Sequence, residues 1–282
     1  VSAVGATRIP NSTSDSEQSP EDVAAEQNWF LVSSLDPLDD ARGSNVGDEA
    51  FEVPDQETDG EVDAASFTAT VSYLPEHLKG VGDVAAQFAT EIGLQPALVD
   101  DLRLAGRLHD LGKADPRFQL WLCGGDPVEL VRHDQLLAKS INTSPSERSV
   151  RRQARERSGY PRGQRHELQS VALIRSAPQV LSSANDAELV TYLVASHHGY
   201  CRPLAPVAID EAPVLVTTDH AGLHLEASSD HGLARFGSGI ETMFGTLGAR
   251  YGWYGLARLE AIFRLADQWR SSQEQRGLTD AQ

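Results

Sequence analysis

Leu104-Ala105-Gly106-Arg107-Leu108-His109-Asp110-Leu111-Gly112-Lys113 is the stretch on which the reading of this chain turns. Leu98, Leu102, Ala105 and His109 follow one another at spacings of four, three and four. That period lays them along one buried helical face and carries a histidine inward at its end. Gly112 follows as the residue expected to take positive φ just past the helix. The helix therefore stops with an imidazole and a carboxylate side by side at its inner tip. Imidazole suits transition metals, and a carboxylate can join two of them. A His-Asp pair alone is weak evidence, because such pairs arise by chance, so the neighbouring segments decide whether it is a metal site.

Upstream, Pro75 and Glu76 suit a first helical turn. His77, Val81, Val84 and Phe88 then share one face, with Gly93 expected to end that helix and Pro96 to begin the next. Downstream, a short helix is expected around Phe118-Gln119-Leu120-Trp121-Leu122, and Gly124-Gly125-Asp126-Pro127 is turn chemistry. His166 opens another helix, with Leu173 and Ala177 on the same side. Leu189, Leu193 and Ser196 lead to a second tip, Ser196-His197-His198-Gly199. Adjacent histidines on a helix diverge by about 100°, so both reach one site only where the helix ends. Residues 200–245 read as Pro- and Gly-rich loops with a short β-stretch at Val214-Leu215-Val216. The last helix is expected from Leu256 to Ser271, with Leu256, Leu259, Phe263, Asp267 and Arg270 on one face. An inward acid is costly unless paired or metal-bound. Asp267 is thus a ligand, or else half of an ion pair with Arg264 or Arg270.

The 282 residues suffice for a sizeable core, and 40% are hydrophobic. No apolar run of 18 residues occurs, so no membrane span is expected. Two cysteines, Cys123 and Cys201, form no CxxC pattern, which fits a reducing cytoplasm and argues against structural zinc. The chain opens on Val1 and its single methionine is Met243, as expected of a segment of a longer polypeptide. The net charge of −17 is uneven, because residues 1–65 hold 16 acidic and only 2 basic side chains. That stretch is expected to form an acidic, disordered linker, with one apolar patch at Trp29-Phe30-Leu31-Val32. The remainder, residues 66–282, is close to neutral and open to a nucleic-acid partner.

Residues 148–165 hold seven arginines, interrupted by Gly159-Tyr160-Pro161. A charge run is ordinarily a solvated face. Here it adjoins His166, so Arg151, Arg152, Arg155, Arg162 and Arg165 are read as contacts to nucleic-acid phosphates, with Tyr160 as a stacking platform. His133, His220 and His224 read as surface histidines, the last two flanking Gly222 in loop-like surroundings.

Five helices thus each present an inward polar group: His77, His109-Asp110, His166, His197-His198 and Asp267. Five histidines and two aspartates are the inventory for two divalent ions about 3.5–4 Å apart, able to clamp a phosphate ester. The ordered motifs HLKGVGDVA, LAGRLHDLGKADPRFQ, SGYPRGQRHELQS, SHHGYCRPLAP and YGWYGLARLEAIFRLADQWRS resemble the HD phosphohydrolase superfamily. Within it they are most similar to the HD nuclease domain of the CRISPR-associated type I helicase–nuclease, in the subtype whose HD domain follows the helicase. The resemblance spans residues 70–272.

It implies an all-α helical bundle around a dinuclear site. His77, His109, Asp110 and Asp267 would hold one ion, with Asp110 bridging to a second held by His166, His197 and His198. Lys113 would neutralise phosphate charge. It further implies two transition-metal ions (Mn, Fe, Ni or Co), cleavage of single-stranded DNA, a helicase that feeds the strand, and recruitment by the CRISPR RNA-guided surveillance complex. No GxxxxGK[ST] motif occurs in this chain, so translocation would belong to a missing portion or a partner. The competing reading is an HD phosphohydrolase of nucleotides or cyclic dinucleotides, suggested by Gly159-Tyr160-Pro161; there the tripeptide follows a His-His-Glu motif, whereas here it precedes His166-Glu167. A degenerate HD fold acting only as a binding module is opposed by the complete ligand inventory.

Overall fold

The computed structural model describes residues 71–139 and 148–277, all within the second of two units into which the chain divides, Asp55–Gln282. The acidic segment 1–65 and its Trp29–Val32 patch lie outside the described residues. The described residues are mostly helical. Helix α1 (Leu74–Glu91) starts with Pro75 in its first turn and Glu76 beside the positive helix end. Gly93 follows it at φ 74°, as expected. Helix α2 (Pro96–Leu108) packs along α1. The two backbones meet at Gly82 and Gly106, where a Cβ on Gly106 would lie 2.5 Å from Gly82. Only glycine permits that approach, and it is this crossing that sets His77 beside His109.

Past α2 the chain tightens into a 3₁₀ turn, Leu111–Ala114, then forms α3 (Pro116–Leu122) and α4 (Pro127–Val131). Asp115 and Asp126 cap these two helices by accepting from the backbone N–H groups of Arg117 and Val128. Gly112 is not the positive-φ residue the sequence suggested; it sits inside the 3₁₀ turn, against the backbone of a later helix. A side chain there would collide with His166 O. Gly112 N–H donates to Ser170 Oγ at 2.8 Å, which in turn donates to His109 O at 2.7 Å. That small knot ties the first ligand tip to the helix bearing His166.

Helices α5 (Arg148–Ser158), α6 (His166–Ser176) and α7 (Ala187–Ser196) follow, then α8 (Ile240–Tyr251) and α9 (Trp253–Gln275). Asp186 caps α7 from the backbone N–H groups of Glu188 and Leu189. The core joins α1, α2, α6, α7, α8 and α9 through residues such as Val81, Leu102, Leu173, Leu193 and Phe263. A smaller cluster of Phe118, Trp121, Leu137, Ala154 and Tyr160 lies under α3 and α5.

Two short antiparallel pairs supplement the bundle. Strand β1 (Ser72–Tyr73) pairs with β2 (Leu137–Lys139), and β3 (Leu215–His220) pairs with β4 (Leu223–Ser228). The region 200–245 is therefore not all loop. Its β-stretch extends to His220, Ala221 and Gly222 make the hairpin turn at positive φ, and α8 begins at Ile240. His220 and His224 stand on the two hairpin strands, and His224 pairs with Asp219. Helix α9 also starts earlier and ends later than its apolar spacing indicated. His133 is not a surface histidine; its side chain is only 10% exposed, edge-on to Tyr73 and near Glu129.

Candidate metal centre

Each expected ligand arrives at the end or on the inner face of a helix. His77 lies in the first turns of α1, His109 and Asp110 just past α2, and His166 at the start of α6. His197 and His198 follow α7, and Asp267 projects from the middle of α9. All seven converge. The ligand atoms of Asp110, His166, His197 and His198 lie within 4.8 Å of one another, as do those of His77, His109 and Asp267.

Asp110 joins the two groups. Its Oδ2 stands 3.5 Å from His77 Nε2 and 3.3 Å from His109 Nε2. Its Oδ1 stands 3.1 Å from His166 Nε2 and 3.6 Å from His197 Nε2. One carboxylate thus offers one oxygen to each cluster. Asp267 Oδ1 faces the first cluster, 3.4 Å from His77 Nε2 and 3.9 Å from His109 Nε2. It forms no ion pair with Arg270, which pairs with Glu274 instead.

The hydrogen-bond pattern places a proton on Nδ1 of three of these rings. His109 Nδ1 lies 2.8 Å from Gly106 O and His197 Nδ1 lies 2.7 Å from Val194 O. A carbonyl only accepts, so both Nδ1 atoms donate, and in the neutral ring the lone pair is then on Nε2. His77 Nδ1 faces the Glu274 carboxylate at 3.0 Å, with the same consequence. The Nε2 atoms of His77, His109 and His197, and Asp110 Oδ1, are buried with no hydrogen-bond partner. Such orphans are costly in a finished protein. Their convergence fits divalent cations of the borderline class that imidazole and carboxylate bind. His198 Nε2 and His166 Nε2 stand 3.1 Å apart in a hydrogen bond, in which one ring donates and the other accepts.

Electrostatics keeps the donors available. Burial opposes ionisation of Asp110, yet His109 and Lys113 hold its carboxyl well below the usual carboxylate range. Asp267 is held low in the same sense, by His77 and His109 against its burial. Burial, with His197 and His166 beside it, pushes His198 well below the ordinary histidine value, so it is neutral at pH 7. Burial likewise lowers His166, against the pull of Asp110.

Lys113 is nearly fully buried, its Nζ 2.7 Å from Asp110 Oδ2 and 3.2 Å from Ala138 O. The ammonium therefore acts on Asp110 directly. The arginine run divides. Arg155 is inside, its guanidinium 4.8 Å over the Trp121 ring and donating to Tyr160 O and Pro161 O. Arg165 is inside too, paired with Glu167 at 2.7 Å and lying 4.2 Å over Tyr200. These two depart from the expected nucleic-acid contacts, because aromatic faces and internal acceptors hold them. Tyr160 is likewise no platform; it is 4% exposed and stacked on Trp121. Arg152 and Arg162 are exposed and Arg151 is half-buried.

Buried charges, two of which (Glu274 and Lys139) the sequence did not single out, surround the ligands. Glu274, Lys139, Arg270 and Glu167 are buried charges grouped behind the histidines. The glutamate spacing Arg270–Glu274 at i, i+4 was visible in the sequence, but nothing linked it to His77.

The family model described as "Cas3, HD domain" matches residues 66–236. No curated protein and no solved structure matches the chain. The matched span holds six of the seven expected ligands, and the fold brings Asp267 to them from beyond it. With more than half its length matched and its His/Asp clusters assembled, the chain belongs to the Cas3 HD-domain family, the HD-type metal-dependent nucleases of CRISPR defence.

Proposed function

We propose that this domain cuts single-stranded DNA by hydrolysis of its phosphodiester bonds, using two divalent transition-metal ions. The observation that carries the reading is Asp110, whose two oxygens each face a pair of buried Nε2 atoms. His77, His109 and Asp267 would hold one ion, His166, His197 and His198 the other, and Asp110 both. Bound there, such ions supply a water of lowered pKa and neutralise charge developing on the phosphate oxygens. The chain's own part is to present that chemistry without reorganisation. Carbonyls of Gly106 and Val194 fix two imidazoles in the tautomer that leaves Nε2 free. Lys113 keeps Asp110 ionised and oriented from beneath, so its charge serves the phosphate through that carboxylate. Phe118 and Phe263 wall His166 and His109, keeping bulk water from their rings.

Arg151, Arg152 and Arg162 are the members of the arginine run left to contact the strand, while Arg155 and Arg165 shape the ground they stand on. A helicase, in the same polypeptide or as a partner, would deliver the strand, and the RNA-guided surveillance complex would mark the target. No helix among the described residues is long and apolar enough to cross a membrane, and we place the activity in the cytoplasm. The test is cleavage of circular single-stranded DNA with a panel of divalent ions, beside Asp110→Ala. Metal-dependent nicking lost in the variant is the expected result. Equal cleavage by parent and variant, or none with any ion, refutes the proposal.

A further inference from the structure

The seven ligands account for the centre's inner face, but a buried carboxylate behind it belongs to no ligand set. Glu274, in the last turn of α9, is 5% exposed and places Oε1 and Oε2 at 3.0 and 3.1 Å from His77 Nδ1. Among the ligand histidines, His109 and His197 are anchored at Nδ1 by backbone carbonyls. His166 Nδ1 has only Glu167 Oε2, at 3.8 Å, beyond hydrogen-bond distance. His77 is thus the ligand held at hydrogen-bond distance by a full negative charge.

That charge is itself held in place. Arg270 Nε donates to Glu274 Oε1 at 2.8 Å, and Lys139 Nζ lies 3.3 Å from Oε2. Arg270 lies across α1 where Gly80 has no side chain, since a Cβ on Gly80 would run into its guanidinium. The glycine in the segment HLKGVG therefore makes room for the cation that fixes the carboxylate that orients the histidine. A carboxylate accepting from the far nitrogen of an imidazole sets its tautomer and ring angle and strengthens the other nitrogen as a donor.

We propose that Glu274 is a positioning residue that tightens metal binding selectively at the His77–His109–Asp267 group, making the two halves of the centre unequal. The proposal rests on the two-ion reading above and names a residue outside its ligand set. Two cations on Glu274 keep the carboxylate from competing for the metal itself, so its influence passes through the His77 ring.

The test is calorimetric titration of the full metal-free chain with manganese(II), for the parent, Glu274→Gln and Glu260→Gln. Glu260 is a buried carboxylate on the same helix, facing Tyr192 and Arg202 rather than the histidines, so its variant controls for damage to α9. The parent is expected to take up two ions. Glu274→Gln should weaken one of the two binding steps by about 10–100-fold and leave the other unchanged, while Glu260→Gln should move neither. Unchanged affinities in Glu274→Gln, or an equal loss at both steps, overturn the proposal. Uptake of a single ion by the parent overturns the two-ion reading and this proposal with it, and the parent's stoichiometry tells that failure from the others. If Glu274→Gln does not fold, nitrogen-15 spectra of the metal-free parent decide: a proton on His77 Nδ1 supports the assignment, and one on Nε2 overturns it.

Discussion

Removing Asp110 should do two separable things, and the structure gives a scale for the first. Asp110 Oδ2 and Lys113 Nζ are 2.7 Å apart, with side chains 3% and 5% exposed. Taking away the carboxylate leaves a buried ammonium with only Ala138 O as a partner at 3.2 Å. Breaking a buried ion pair from one side costs about 3–5 kcal/mol. In a domain of this size each kcal/mol lowers Tm by about 2–4 °C, so Asp110→Ala should melt about 6–20 °C below the parent in the presence of a chelator. Adding Lys113→Met removes the stranded charge. The double variant should recover much of that loss, with a coupling of about 1–3 kcal/mol between the two sites. Neither variant should cleave DNA. The assay is thermal melting by circular dichroism with a chelator present, for the parent, both single variants and the double variant. A parent-like Tm for Asp110→Ala, or additive losses in the double variant, would refute the claim that the pair is a buried unit. Restored cleavage in the double variant would refute the role given to Asp110.

Gly112→Ala should fail to give a folded domain or lower its stability by about 3 kcal/mol or more, read by melting, because the new methyl meets the His166 backbone. Arg155→Ala should lower Tm through loss of its Trp121 and Tyr160 contacts. The Arg152→Ala, Arg162→Ala pair should instead keep Tm and flatten the log–log salt dependence of single-strand binding by about 0.7 per phosphate contact removed. Burial pushes the Cys123 thiol up to about 11 and the Cys201 thiol up to about 12, so neither should react with an alkylating reagent at pH 8 while the domain is folded, as read by intact mass.

The convergence of the expected ligand side chains was legible because helical periodicity and polarity disagree at those positions. His77, His109 and Asp267 each fall on an apolar face, where an imidazole or carboxylate needs a reason to be. What stayed hidden depends on partners far along the chain. Arg155 and Arg165 look like solvent-facing charge until Trp121, Tyr160 and Tyr200 are seen beneath them. Gly112 looks like a helix stop because the sequence shows its neighbours and not the backbone of α6 packed on it. The β3–β4 hairpin was obscured by flanking Gly and Pro, and α8 by its own Gly245 and Gly248. Glu274 sits 197 residues from His77, a distance no local pattern spans.

That separation bears on how the protein comes into being. The first helix completes its contacts only after the last has been made, since His77 faces Asp267 and Glu274 from α9. Contacts so distant in sequence form slowly, because a long loop must close before they repay the lost entropy. A growing chain therefore carries one group of ligands, Asp110 with His166, His197 and His198, well before the other is complete. An ion held at the His77 side would tie the two ends of the bundle together, and its binding energy would add to the folding energy.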